Sequence, residues 1–218
     1  MFAAVLFDWD GTLADTRQAI SLSFKKALEK VNVEVPDEFI ERRIGIGAEE
    51  TFREILRARN KHFDDALIKS LVQRKVQSEL GLSNQVALLP GAVELLKSLR
   101  GKLKLALASM NNRLVVDHLL DKMRLKGFFD VVLTVEEVAH FKPHPEIFLK
   151  CSVLLGLSSE KCLVVEDSLF GVQAAKAAGM SCLAVLTGAY RKTELAKAGS
   201  DMIVTSLLDT KILRFILQ

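Results

Sequence analysis

The chain has 218 residues, of which half are hydrophobic and 26% are charged, and its formal net charge is +3. This balance is typical of a globular protein with a sizeable apolar core. The small net charge and the interspersed Lys and Glu residues exclude the concentrated basic stripe of a nucleic-acid-binding protein. The longest run without a charged residue is 14 residues, shorter than the roughly 20 apolar residues of a membrane-spanning helix. We expect neither nucleic acid nor a membrane among the partners.

The first residues and the cysteines predict a cytoplasmic protein. The sequence opens on an apolar strand pattern with no basic leader, so we expect no signal peptide. Three cysteines without CxxC spacing argue against a disulfide framework and for buried, reduced thiols. They are Cys151, Cys162 and Cys182.

Six short runs rich in Val, Leu and Ala end abruptly in polar residues, which is typical of strands buried on both faces of a parallel sheet. They are residues 3–8, 103–109, 131–134, 162–167, 182–187 and, more weakly, 202–206. Amphipathic helical patterns lie between them at 91–100, 113–123, 146–156 and 168–179. The last begins at a candidate N-cap, Ser168, and stops at Gly179. The alternation predicts an α/β fold with a Rossmann-like, doubly wound parallel sheet.

Residues 16–89 break this alternation, because they carry helical patterns and no convincing strand. One apolar face is formed by Ile20, Phe24, Ala27, Leu28 and Val31, and a second by Ile68, Val72, Val76 and Leu80. Asp15 and Gln18 suggest a capping-box-like start to the first helix. We predict an all-helical inserted domain at 16–89 and an α/β core domain made of residues 1–15 and 90–218.

Polar residues follow several of the predicted strands, at the sheet edge where ligands of open α/β folds bind. They are Asp8, Asp10, Ser109, Asn111, Asn112, Glu166 and Asp167, with Lys142 in the segment FKPHPEIF after the strand at 131–134. Carboxylates this close repel each other unless a cation intervenes. Mg²⁺ suits the set, because it takes oxygen ligands and usually keeps waters and a substrate phosphate.

A phosphate group would account for the remaining side chains. Ser109 precedes a helix whose free N–H groups favour an anion, with Asn111 as a further donor. Lys142 could hold both a carboxylate and a phosphoryl group. Asp8 could then attack phosphorus, while Asp10 protonates the leaving alcohol and later activates water.

Each feature also has a plainer interpretation. A lone Asp-x-Asp-Gly is usually a turn, a Lys before Pro is usually a solvated loop residue, and a Ser after a strand is usually a helix cap. Four such features in one order, each at the end of a strand, favour the catalytic interpretation.

The four segments together resemble the motifs of the haloacid dehalogenase superfamily over nearly the whole chain. They are DWDGTLADT, LALAS, FKPHPEIF and VVEDSLFGVQAAKAAGM. The resemblance implies that Asp8 is the nucleophile, Asp10 the acid/base, and that Ser109 and Lys142 bind the phosphoryl group. It also implies that Mg²⁺ is held by the Asp8 side chain, the Asp10 backbone carbonyl and Asp167, with Glu166 acting through a water. The insert at 16–89 matches the helical cap of the first subclass.

Details within these motifs narrow the expected reaction. Asp10, which true dehalogenases lack, argues for phosphoryl transfer. The sequence Glu166-Asp167-Ser168 resembles the branch of β-phosphoglucomutases and sugar-phosphate phosphatases, whereas phosphoglycolate phosphatases more often carry Gly-Asp there. The mutases carry a His at the position of Ile20 and a basic residue near Ala48, and both are missing here. We expect hydrolysis of a small phosphorylated metabolite, such as a sugar phosphate or phosphoglycolate.

Specificity is expected in the loop RRIGIGAEETF, residues 42–52, where Gly45 permits close approach of the backbone to a substrate. Arg42 or Arg43 could meet a second anionic group, although exposed arginines at a helix end are the more common case. Residues interpreted as packing or structural are Trp9, Phe141, Tyr190, His118 and His144.

Three other functions remain open at this stage. One is a phosphomutase, which would need a bis-phosphorylated activator and release no net phosphate. Another is a receiver-like signalling domain, but there the phosphorylated Asp lies on a later strand and the Lys comes last. Here Lys142 precedes Glu166. The third is a non-catalytic binder of a phosphometabolite, which the complete set of catalytic positions disfavours. The chain is expected to be a monomer or a homodimer.

Overall fold

Six parallel strands form the central sheet of the computed structural model, which describes residues 1–218. They are β1 (Ala4–Phe7), β4 (Lys104–Ala108), β5 (Val131–Leu133), β6 (Cys162–Glu166), β7 (Ser181–Val185) and β8 (Met202–Val204). Their order is β5-β4-β1-β6-β7-β8, with β1 in the middle. This confirms the six predicted strands and the doubly wound α/β class.

Helices cover both faces of the sheet. They are α5 (Ala92–Leu99), α6 (Arg113–Lys122), α7 (Glu146–Leu155), α8 (Leu169–Ala177), α9 (Lys192–Lys197) and α10 (Lys211–Leu217). Alternate residues of β1 point to opposite faces. Val5 and Phe7 pack in one apolar cluster with α5, α6 and α10, whereas Ala4 and Leu6 pack in another with α7 and α8. The four predicted helices of this layer are confirmed, and the Ser168 hydroxyl caps α8 by accepting from Gly171 N at 3.0 Å.

A two-stranded antiparallel ribbon, β2 (Ala14–Asp15) with β3 (Ala87–Leu88), connects the helical insert to the rest of the chain. Between them lie α1 (Arg17–Leu28), α2 (Asp37–Glu41), α3 (Ala48–Ala58) and α4 (Asp65–Gly81). Two expectations are wrong here. Residues 87–88 form a strand, because they pair with residues 14–15, where the chain passes from the sheet into the insert. No capping box forms at Asp15 and Gln18, because Asp15 lies in the ribbon and α1 begins after Thr16 without a side-chain cap.

The insert has an apolar cluster of its own, built from twelve buried residues of α1–α4 and their loops. The predicted face of α1 is part of it, with Ile20, Phe24, Ala27 and Leu28 all buried. We propose on this basis that residues 16–89 form a cap domain separate from the core domain of residues 1–15 and 90–218. The three cysteines are free and buried. None of the helices has the length and apolarity needed to cross a lipid bilayer.

Candidate active site

The turn after β1 brings two carboxylates to the edge of the sheet. Asp8 still belongs to the hydrogen-bond ladder, because its N–H donates to Val165 O at 3.0 Å. Asp8 and Asp10 are both buried. Gly11 follows with φ +81°, a value that favours glycine, and a Cβ at this position would lie 2.3 Å from Asp167 Oδ2. The tight turn therefore needs glycine for its conformation and for space.

Lys142 lies at the centre of the acidic group. Its Nζ donates to Asp8 Oδ1 at 2.7 Å, to Glu166 Oε1 at 2.7 Å and to Ala108 O at 3.1 Å, so all three hydrogens have acceptors. Burial lowers the pKa of Lys142, but the Asp8 and Glu166 carboxylates outweigh it, and the net pKa is raised. Lys142 is therefore a buried, fully charged ammonium.

Glu166 and Asp167 are held in different ways. The second oxygen of Glu166 accepts from Asp167 N, Ser168 N and Ser168 Oγ, each at 3.0 Å. Asp167 Oδ1 accepts from Thr12 Oγ1 at 3.2 Å, while Oδ2 lies against Gly11 and Gly188, where a Cβ would be 2.3 and 2.1 Å away. Both oxygens of Glu166 accept from protein donors, whereas Asp167 keeps an oxygen without a protein donor.

The acidic group fits a divalent cation by its chemistry and electrostatics. Asp8, Glu166 and Asp167 each offer a carboxylate oxygen, and these oxygens lie within 4.8 Å of one another. Burial raises the pKa of Asp8 to about 8. The Lys142 ammonium lowers this pKa, whereas the Glu166 and Asp10 carboxylates raise it further. Burial, with Glu166 and Asp8, also raises the pKa of Asp167 well above its ordinary value. Since one ammonium faces three carboxylates, a hard cation with oxygen ligands such as Mg²⁺ would supply the missing positive charge.

Ser109 and Asn111, which follow β4, contact the other carboxylate. Ser109 Oγ accepts from Asn111 N at 3.0 Å and lies 3.4 Å from Asp10 Oδ2. Asn111 Nδ2 donates to Asp10 Oδ1 at 3.3 Å and to Glu79 Oε1 at 2.8 Å. The structure thus brings together seven of the nine residues singled out for the site: Asp8, Asp10, Ser109, Asn111, Lys142, Glu166 and Asp167. The Asn112 side chain instead donates to Glu136 Oε1 at 3.0 Å, in an exposed contact.

Two residues of the site were missed by the sequence analysis, Lys75 and Glu79 on α4. Their side chains are 3% and 1% exposed and form an ion pair, and Lys75 Nζ also donates to Asn111 Oδ1 at 2.9 Å. Burial raises the pKa of Asp10 to about 6, with the Glu79 carboxylate as the next cause and Lys75 opposing. A signal existed, because both residues fall on the same helical face as Ile68 and Val72, where two charges are unexpected.

Gly45, the last of the nine residues, lies in the cap loop above the site. It has φ +107°, and a Cβ there would be 3.1 Å from Ser168 Oγ, so the loop approaches the core closely. It lines a cavity of about 20 Å³, whose other walls include Asp10, Asn111, Lys75 and Arg43. That volume suits about one water molecule. The cap is therefore closed over the site.

Neither arginine of the cap loop has a free guanidinium. Arg42 donates to Glu194 at 2.6 Å and lies 4.6 Å from the Tyr190 ring centroid. Arg43 pairs with Glu54 at 2.5 Å and lies 3.5 Å from the Phe39 ring centroid. These contacts favour the helix-end interpretation over direct binding of an anion.

Substitution of Gly171 in α8 tests the position of Glu166. A Cβ at Gly171 would lie 1.8 Å from Glu166 Cδ, and Glu166 is held by four hydrogen bonds, so it cannot move without losing partners. Gly171→Ala is expected to lower the free energy of unfolding by about 1–3 kcal/mol, measured by urea denaturation. Gly81→Ala is the matched control, since no atom lies within 4 Å of its added Cβ. Equal stability of the two variants would contradict this packing.

Comparisons with known proteins find similar sequences and a similar structure. The family model of haloacid dehalogenase-like hydrolases matches residues 5–185. The chain is 29% identical over 185 residues to fructose-1-phosphate phosphatase YqaB of Escherichia coli, covering 84% of this chain and 96% of that protein. It is 29% identical over 212 residues to β-phosphoglucomutase of Bacillus subtilis, covering 94% and 90%. A hydrolase from Pseudomonas syringae has a similar structure, with a TM-score of 0.89, 28% identity and coverage of 99% and 97%.

Proposed function

The chain belongs to the haloacid dehalogenase-like hydrolase family, and on that premise we propose that it is a Mg²⁺-dependent phosphatase of small phosphate monoesters. The observation that carries the proposal is the Asp8 carboxylate at the end of β1, held at 2.7 Å by a buried Lys142 and faced by Glu166 and Asp167. A nucleophile for phosphorus, a fixed positive charge and a candidate cation site therefore coincide.

In the first step, an Asp8 carboxylate oxygen forms a bond to phosphorus and the bond from phosphorus to the ester oxygen breaks. Asp10 gives its proton to the departing oxygen, so an alcohol leaves. An acid whose pKa is raised to about 6 carries such a proton in part of the molecules near neutral pH. The charge of Lys142 and the hydroxyl of Ser109 stabilise the negative phosphoryl oxygens during the transfer.

In the second step, Asp10 takes a proton from water, and the water oxygen attacks the phosphorus held on Asp8. The bond between Asp8 and phosphorus breaks, inorganic phosphate leaves, and both carboxyl groups return to their starting states. Mg²⁺, held by Asp8, Asp167 and the Asp10 carbonyl, with Glu166 through a water, would offset the negative charge of the phosphoryl oxygens.

A phosphomutase is the second candidate, favoured by the 29% identity to β-phosphoglucomutase over 94% of this chain. The residues around the cavity argue for hydrolysis. Ile20 and Ala48 line it at the positions where the resemblance places the mutase His and basic residue. Neither of these two apolar side chains would hold a second phosphate or delay the attack of water.

Release of inorganic phosphate tests the proposal. We expect release from p-nitrophenyl phosphate, glycerol phosphate and fructose 1-phosphate with Mg²⁺, loss of the activity in EDTA, and recovery on adding Mg²⁺. Turnover that needs a bis-phosphorylated activator and yields no free phosphate would favour the mutase. No phosphate release from any ester would refute both the substrate class and the mechanism.

A further inference from the structure

We infer that the preferred phosphate ester has an uncharged, hydroxyl-bearing leaving group, and that the Lys75–Glu79 ion pair selects against esters with a second anionic group. This inference rests on the proposed phosphatase function and narrows its substrate class. It concerns the cap side of the site, where Asp10 lines the cavity beneath the cap.

The leaving group must lie on the cap side. Asp10 is the proposed proton donor to the departing oxygen, and it lines the cavity of about 20 Å³ beneath the cap. Because that volume suits about one water molecule, the leaving group enters this side of the site only when the cap loop moves away from the core. The other walls there come from α1, α3, α4 and the cap loop, with Met110 and Asn111 from the core. Among the lining residues only Arg43 and Lys75 carry a positive charge.

Both cations are already neutralised by the protein. Lys75 is paired with the buried carboxylate of Glu79 and donates to Asn111 Oδ1. Arg43 is paired with Glu54, donates to Phe39 O at 3.1 Å and lies on the Phe39 ring. A second carboxylate or phosphate in the cavity would have to displace one of these partners, and displacement of a buried ion-pair partner leaves an uncompensated charge.

Such an anion would also meet the Asp10 carboxyl group that lines the cavity and, at Lys75, the Glu79 carboxylate already paired with that lysine. In a desolvated site such like charges repel strongly. An uncharged polyol meets no such penalty. Its hydroxyls can accept a hydrogen bond from the third hydrogen of Lys75 Nζ, while its carbon atoms face apolar walls that include Ile20, Phe24 and Ile44. The charge balance of the cavity therefore favours a sugar or polyol ester over a phosphorylated acid or a bisphosphate.

A pair of matched esters tests this inference. Glycerol 3-phosphate and 3-phosphoglycerate differ only by a CH₂OH group in place of a carboxylate. The native chain should show a kcat/KM at least about tenfold higher for glycerol 3-phosphate. Glu79→Gln keeps the shape and a hydrogen-bond acceptor but frees the Lys75 charge. This variant should reduce that preference by about tenfold or more, chiefly through a lower KM for 3-phosphoglycerate.

Glu50→Gln is the matched control. Like Glu79→Gln, it removes one negative charge from the cap, but its partner Arg57 is exposed and the Arg57–Glu50 ion pair does not line the cavity. It should leave the preference unchanged. Glu54→Gln, at a more exposed site, frees Arg43 and should shift the preference in the same direction if the buried Glu79 variant does not fold.

The outcomes separate the two proposals. A native chain that hydrolyses 3-phosphoglycerate as well as glycerol 3-phosphate would overturn this inference and leave the phosphatase proposal standing. A Glu79→Gln variant with the native preference would overturn the role of the ion pair. If neither ester nor p-nitrophenyl phosphate is hydrolysed, the phosphatase proposal fails and this inference fails with it.

Discussion

Asp8→Asn should lower kcat for phosphate release by about 10⁴-fold or more while the chain still folds. The amide has the shape of the carboxylate but cannot form the bond to phosphorus. Lys142 keeps Glu166 as its second carboxylate partner at 2.7 Å, so its charge does not become unpaired. The measurement is single-turnover and steady-state release of inorganic phosphate with Mg²⁺.

The same variant should be as stable as the native chain, or more stable, when both are metal-free. Burial raises the pKa of Asp8 to about 8 from an ordinary 3.8. The folded state therefore binds a proton that the unfolded state releases, and Asp8 costs stability as pH rises from about 4 to 8. Asparagine removes that cost. Thermal unfolding in EDTA at pH 5 and pH 8 measures it.

Asp15→Asn is the matched control for both measurements, because the Asp15 side chain is 56% exposed and its contact with Arg17 is 4.0 Å. It should change neither kcat nor stability appreciably. An Asp8→Asn chain that keeps substantial turnover would rule out Asp8 as the nucleophile. If Asp8→Asn shows no thermal unfolding transition, the variant is not folded, its lost activity does not identify the nucleophile, and the predicted stability is wrong.

The sheet could be predicted from the sequence because its strands are buried on both faces. Such strands are continuous apolar runs, and each run ends where the chain reaches the polar edge of the sheet. Residues 162–167 show this well, since Cys162–Val165 are buried in the two apolar clusters and Glu166 is the first acidic side chain of the site. The short ribbon at 14–15 and 87–88 has no such signal. Each of its strands has only two residues, which is too short to show an apolar run or an alternating pattern.

The core half of the site was predictable for the same reason. Parallel strands bring their carboxyl ends to one edge, so residues as distant as Asp8 and Lys142 are placed together by topology alone. The cap half was not. Lys75 and Glu79 reach Asn111 only because α4 packs across the edge of the core, and the sequence does not give the orientation of one domain relative to another. Gly45 could be assigned to a loop, but its approach to Ser168 depends on that same orientation.

Removal of the Lys142 charge should cause the largest combined loss of activity and stability. Lys142→Met is expected to lower the free energy of unfolding in EDTA by about 3–5 kcal/mol, because two buried carboxylates lose their shared ammonium. Phosphate release should be abolished, since no other cation lies between Asp8 and Glu166 in the structure. Urea denaturation and phosphate release measure the two effects.

Lys104→Met provides the matched control. Lys104 also pairs with an aspartate, Asp130, at 3.0 Å, but its side chain is 60% exposed. Solvent screens that pair, so its loss should cost no more than about 1 kcal/mol. If the two variants lose similar free energies of unfolding, the contribution of the Lys142 contacts to stability does not depend on their burial.

The stability loss of Lys142→Met should grow as pH rises from 5 to 8. Lys142 is charged throughout this range in the native chain, because its folded pKa is raised above the ordinary value. In the variant, folding at the higher pH must either bury an unpaired carboxylate or take up a proton that the unfolded chain does not bind. Proton uptake costs about 1.4 kcal/mol for each pH unit.

A second change, Glu166→Gln, removes one of the unpaired carboxylates and should restore part of the stability without restoring activity. A loss that is independent of pH, or a double variant no more stable than Lys142→Met, would contradict the conclusion that the lysine stabilises the fold by its charge.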